Sequence, residues 1–151
     1  MDVLIDIDDG FEKISSLPLE ELTHFVLEHE GISPHVEVSL SFVSNEVISE
    51  LNETYRNKRS PTDVLSFECD SEDEFEEATM GSFSLGDVVI APDIALSQAK
   101  DYGVTFEEEI NLLLVHGLLH LCGYDHIKDE EAEEMESLER SILSQWSERE
   151  R

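Results

Sequence analysis

Basic side chains are what this chain has least of: 9 lysines and arginines face 37 aspartates and glutamates in 151 residues, a formal charge of −28. A field of that sign repels nucleic acid and anionic membranes, so a polyanionic substrate needs a local patch of cations to be held. Cysteine is scarce too. Cys69 and Cys122 lie far apart, and Cys122 sits in an apolar stretch, which suits free thiols in a reducing compartment better than a disulfide framework. With 4 prolines and 7 glycines, collagen-like and wholly disordered classes are excluded, and 40% hydrophobic residues indicate a globular chain. No apolar run reaches the roughly 18 residues of a membrane span. The longest, over 110–121, is interrupted by His116 and His120. The opening MDVLIDIDDG carries acids where a signal peptide carries a basic start, so a soluble, cytoplasmic protein that does not enter membranes is expected.

What is present reads as one domain over 1–151, since a chain of this length buries roughly 70% of the surface its unfolded form exposes. A strand is expected over 3–7. A helix follows Pro18, with Leu22, Phe25 and Val26 as its apolar stripe and Gly31 as its stop. Val36, Val38, Leu40 and Phe42 alternate with polar residues, the pattern of a strand with one buried face. A second helix begins near Asn45 with Ile48, Leu51 and Tyr55 on one side, limited by the Ser60-Pro61 step. Strands are expected over 62–67 and 87–90, separated by an acidic insert in which seven of the ten residues 68–77 are Asp or Glu, a density that predicts a mobile loop. Pro92 opens a helix that Gly103 closes, and Thr105 with Glu108 forms a capping-box signature for the next one. That helix is apolar nearly all round over 110–121, so it belongs inside the domain. Ala132, Met135, Leu138, Ile142 and Trp146 recur at three- and four-residue steps under a charged face, predicting a terminal amphipathic helix with solvated acids.

The chemistry concentrates in HGLLHLCGYDH, where three of the six histidines fall within 116–126. His116 and His120 are four residues apart and share one helix face, and Gly123 allows the chain to turn back so that His126 approaches the same point. Burying imidazoles singly leaves polar groups to satisfy, and a shared cation satisfies them together. Three neutral nitrogens and an open fourth position make a catalytic zinc site; nickel, copper and iron also suit imidazole. Cys122 points to another side of the helix and is left out of the donor set. The spacing equals that of the metzincin peptidase signature HExxHxxGxxH, but Gly117 stands where those enzymes carry their general base. A peptidase lacks its most needed group here.

Cations cluster once. Arg56, Lys58 and Arg59 lie within four positions and form the one place where a phosphate is welcome. Arg56 is suited to clamp a phosphodiester through two parallel hydrogen bonds, with Lys58 and Arg59 as substrate-binding charges. Asp87 and Asp125 are the candidate carboxylates to accept the second N–H of a ligating imidazole.

Taken together, HGLLHLCGYDH, YRNKRSPTDVLSFE and SLGDVVIAPDIA resemble the YbeY family of metal-dependent endoribonucleases, in order and over nearly the whole chain. The resemblance implies an α+β domain, a mixed sheet of about four strands packed with about five helices, one of them central, buried and carrying the metal ligands. It further implies a zinc ion on His116, His120 and His126, a functional role for Arg56, and cleavage of single-stranded RNA in ribosomal RNA maturation and ribosome quality control. Ribosomal RNA precursor is then the partner, with small-subunit ribosomal proteins as further candidates and no DNA. The rival readings are a zinc peptidase or amidohydrolase, and a non-catalytic ribosome-assembly factor with structural zinc. So negative a chain is expected to bind RNA weakly, with a shallow salt dependence.

Overall fold

The alternation over Val36–Phe42 is realised as β2, whose Val36, Val38, Leu40 and Phe42 are all buried while the residues between them are half-buried. A computed structural model describes residues 2–32, 35–68, 83–124 and 129–149. β2 is one of four strands in the order β1-β2-β4-β3, with β1 at Asp2–Ile7, β3 at Val64–Glu68 and β4 at Phe83–Ile90. β1, β2 and β4 run parallel, and β3 pairs antiparallel to β4 at one edge. The sheet is mixed.

Among the described residues there are five α-helices: α1 (Leu19–His29), α2 (Asn45–Arg56), α3 (Pro92–Tyr102), α4 (Phe106–Leu121) and α5 (Asp129–Arg149). α4 is the central one. Its Ile110, Leu114, Val115, Leu118 and Leu119 are fully buried, because it packs against α1, α3 and α5 as well as β3 and β4. Each such side chain contributes roughly 1.5–3 kcal/mol over an exposed one. Thr105 and Glu108 form the reciprocal capping box, and Pro92 opens α3, as their positions predict. α2 covers the other face of the sheet through a smaller cluster of Val43, Ile48, Leu65, Val89 and Ala91. The α+β fold with a buried central helix is therefore the one the sequence pattern calls for. No helix among the described residues is long and apolar enough to cross a membrane.

Several boundaries differ from expectation. α2 stops at Arg56 because Asn57 adopts the left-handed conformation (φ 58°), ahead of the Ser60-Pro61 step. β3 starts at Val64 and not at residue 62, and the Asp63 side chain just ahead of it accepts from the Val64 N–H (2.8 Å). β4 begins at Phe83, four residues before the expected start, because an irregularity opposite Glu37 and Val38 lets a glycine-containing segment keep pairing with β2. Tyr55 is 65% exposed, although Ile48 on the same stripe is fully buried. The expected loop over 68–77 lies outside the described residues except for Glu68, which ends β3.

One close approach positions everything that follows. A Cβ built on Gly117 comes within 2.6 Å of Val88 Cγ1 and 3.2 Å of Ser66 Oγ, so the bare glycine backbone is what lets α4 lie directly on β3 and β4. Ser66 locks this contact by donating from Oγ to the Gly117 carbonyl (3.1 Å). The last two turns of α4 are thereby set beside the outermost strand.

Candidate active site

His116 and His120 project from those two turns with ring centroids 4.7 Å apart and Nε2 atoms at 3.2 Å. The helix then closes: Gly123 (φ 103°) donates to the His120 carbonyl at 3.0 Å, and Tyr124 donates to that of Leu119 at 3.1 Å. This paired C-terminal motif reverses the chain, as expected from a glycine in that place. His126 and Asp125, the next expected site residues, lie outside the described residues.

His116 has a partner that the sequence analysis does not single out. Its Nδ1–H donates to a carboxylate oxygen of Glu139 on α5. A carboxylate only accepts, so the ring proton stays on Nδ1 and the lone pair of Nε2 faces His120. Glu139 is 7% exposed. Its signal is legible in retrospect: it occupies the apolar register of Met135, Ile142 and Trp146, where a solvated acid has no place. The pair fits a shared transition-metal ion. Two nitrogens about 2.0–2.1 Å from a tetrahedral zinc lie roughly 3.4 Å apart, close to the separation of the Nε2 atoms.

The histidines open onto a cleft of about 1470 Å³ that runs along β3 and is also lined by Arg56 and Lys58 at and just beyond the end of α2. Arg56 Nη2 donates to the Ser66 carbonyl (3.2 Å), and Ser66 in turn holds Gly117. The cation and the helix that carries the imidazoles are thus both tied to one strand residue. Arg59 does not join them; its guanidinium pairs with Glu53 on the preceding helix turn. Lys58 lines the cleft, so the basic cluster divides in its placement.

Asp87 is a correction. It is exposed and pairs across the sheet with Phe67 and Ser39, on the face that carries Val89 and looks toward α2, whereas Val88 one residue on packs against Gly117. The two-residue alternation of a strand puts the sheet between Asp87 and the histidines. Glu139 holds the position expected of it. Cys122 remains a thiol. Burial first, then the charges of Glu30 and Glu68, push it up to about 12. Tyr124 also lines the cleft, and its hydrogen bond with Glu30, aided by burial, raises the phenol to about 12, so it keeps its proton at neutral pH.

The same helix carries a second buried acid, Glu109, 2% exposed. Burial, reinforced by the nearby charge of Asp63, raises its carboxyl above the ordinary glutamate range. The folded chain therefore holds this proton more tightly than the unfolded chain does. Stability from this site is present in acid and is lost as pH rises from the ordinary glutamate value through the raised one. Glu109→Gln is expected to be more stable than the parent at neutral pH, with the gap narrowing in acid. Urea unfolding at the two pH values measures it, and an equal gap at both would remove Glu109 as the cause.

Comparison with known proteins matches residues 6–147 to the model of the family described as Endoribonuclease YbeY. The chain belongs to the YbeY endoribonuclease family. Endoribonuclease YbeY of Bacillus velezensis is 43% identical over 152 residues, covering 97% of each chain. Endoribonuclease YbeY of Alkaliphilus metalliredigens is 49% identical over 128 residues, covering 84% of this chain and 81% of its own. The solution structure of TM1509 from Thermotoga maritima superposes with a TM-score of 0.60 at 28% identity, covering 97% of this chain and 93% of that one. Membership in the YbeY family makes the Gly117 contact informative. The glutamate that a peptidase needs after its first histidine has no room here, because any side chain at that position is driven into Val88 and away from the cleft.

Proposed function

We propose that this YbeY-family chain is a cytoplasmic, metal-dependent endoribonuclease that hydrolyses phosphodiester bonds of single-stranded ribosomal RNA precursor in rRNA maturation and ribosome quality control. His116, His120 and His126 would hold one zinc ion, the first choice among divalent transition metals for a neutral imidazole set. Bound there, the ion supplies a water of lowered pKa and polarisation of a phosphoryl oxygen. The observation that carries the reading is that two imidazole nitrogens 3.2 Å apart and an arginine line one cleft.

The protein's own groups divide the remaining work. Glu139 keeps the proton on His116 Nδ1 and so keeps Nε2 available as a donor. Arg56 exchanges its bond to the Ser66 carbonyl for two bonds to non-bridging phosphate oxygens, which strengthen as negative charge builds there. Lys58 adds a point charge on the same wall. Small-subunit ribosomal proteins, many of them basic, suit the −28 charge as further partners. The peptidase reading is disfavoured by the crowding at Gly117.

Incubation with RNA and with a peptide mixture, each with and without chelator, tests the proposal. Cleavage of RNA alone, abolished by the chelator and restored by zinc, is expected. Undiminished RNA cleavage by metal-stripped protein would overturn the metal-dependent mechanism, and a non-cutting protein with full metal content would favour the assembly factor.

A further inference from the structure

Tyr55 continues the apolar stripe of α2, yet it is 65% exposed. Its ring leans on Phe67 of β3, with centroids 5.0 Å apart and planes tilted by 58°, so one edge is fixed while much of the ring stays open. Both rings line the cleft that holds Arg56, Lys58, His116 and His120. A large aromatic left open beside the cations of an otherwise acidic chain is unusual. Tyr102 makes the contrast: it is 67% exposed as well, but the groove it lines carries Glu107, Glu108 and Glu109, a wall that repels phosphate.

Phosphate attraction alone is weak in this cleft. Arg59 is occupied by Glu53, which leaves Arg56 and Lys58 among the described lining residues, and the gain from counterion release scales with the number of phosphates neutralised. Base–aromatic stacking costs no charge and is indifferent to sequence, but it requires a base with an open face. A duplex keeps its bases stacked inside.

We propose that the open face of Tyr55, held by Phe67, is a stacking platform for an unpaired base next to the phosphate bound by Arg56, and that it is the element selecting single strands. The inference rests on the nuclease reading of the cleft and adds the residue that determines substrate form.

The test uses the full chain with its metal, a single-stranded oligoribonucleotide and the same strand annealed to its complement. Tyr55→Leu is expected to raise KM for the single strand roughly 5- to 100-fold, the range set by loss of one stacked base. kcat falls much less, and the preference for single strand over duplex shrinks. Tyr55→Phe, which keeps the ring, recovers most of the loss. Unchanged KM and strand preference in Tyr55→Leu overturn the platform while leaving the nuclease reading intact. Tyr55→Trp separates the two ideas in the other direction: its added fluorescence is expected to be quenched by an all-deoxy single strand that lacks the 2′-hydroxyl. No quenching counts against stacking, whereas quenching in a protein that cuts no RNA keeps the platform and removes the nuclease.

Discussion

His120→Ala is expected to be purified with its fold intact, with its metal content reduced to a small fraction of that of the parent, and without measurable RNA cleavage. The expectation follows from where the ring stands. His120 is half-buried at the cleft wall, and the helix that carries it is held by the fully buried Ile110, Leu114, Leu118 and Leu119. Loss of a group that only supports a ligand typically costs 10–100-fold in metal affinity, and loss of the ligand itself costs more. His116→Ala is a poorer experiment, since it also leaves the buried Glu139 carboxylate without its partner, a penalty of about 1–3 kcal/mol that mixes stability with metal loss. Elemental analysis and circular dichroism of His120→Ala read the two quantities separately. Full metal content in this variant would take His120 out of the coordination set.

The periodic parts of the chain are legible in the sequence. β2, α3, α4 and α5 follow from alternation, from Pro92 and Gly103, from the Thr105–Glu108 box and from the spacing of Met135, Ile142 and Trp146, because each is fixed by residues within a few positions of one another. The i,i+4 spacing of His116 and His120 likewise needs only helical geometry. What was not readable depends on contacts between distant segments. Glu139 meets His116 across 23 residues and Ser66 meets Gly117 across 51; the register of Glu139 marks it as a buried acid, but nothing local names the partner of either residue. Asp87 shows the reverse error: its proximity in motif order suggested a role that strand parity denies. Tyr55 shares the stripe of Ile48 and yet is exposed, because a helix stripe records which side faces inward, not how far the neighbouring sheet extends.

Arg56→Ala is expected to keep metal and fold while losing roughly 10²–10³-fold in kcat, the usual cost of removing one preorganised donor to a developing oxyanion, about 2.7–4 kcal/mol. Its hydrogen bond to the Ser66 carbonyl is exposed, so losing it costs stability about 0.5–1.5 kcal/mol. The two effects differ enough to separate by comparing kcat with the urea midpoint. Arg56→Lys sharpens the argument. An ammonium restores the charge but not the planar fork, so recovery of only a small part of kcat identifies bidentate phosphate binding, and full recovery identifies a general charge effect. Arg59→Ala supplies the neighbouring comparison, because that guanidinium is turned toward Glu53 and away from the cleft wall. Should Arg56→Ala cut RNA at the parental rate, the convergence of this arginine and the histidines along β3 would be a feature of packing, and the phosphate would have to be held from another side.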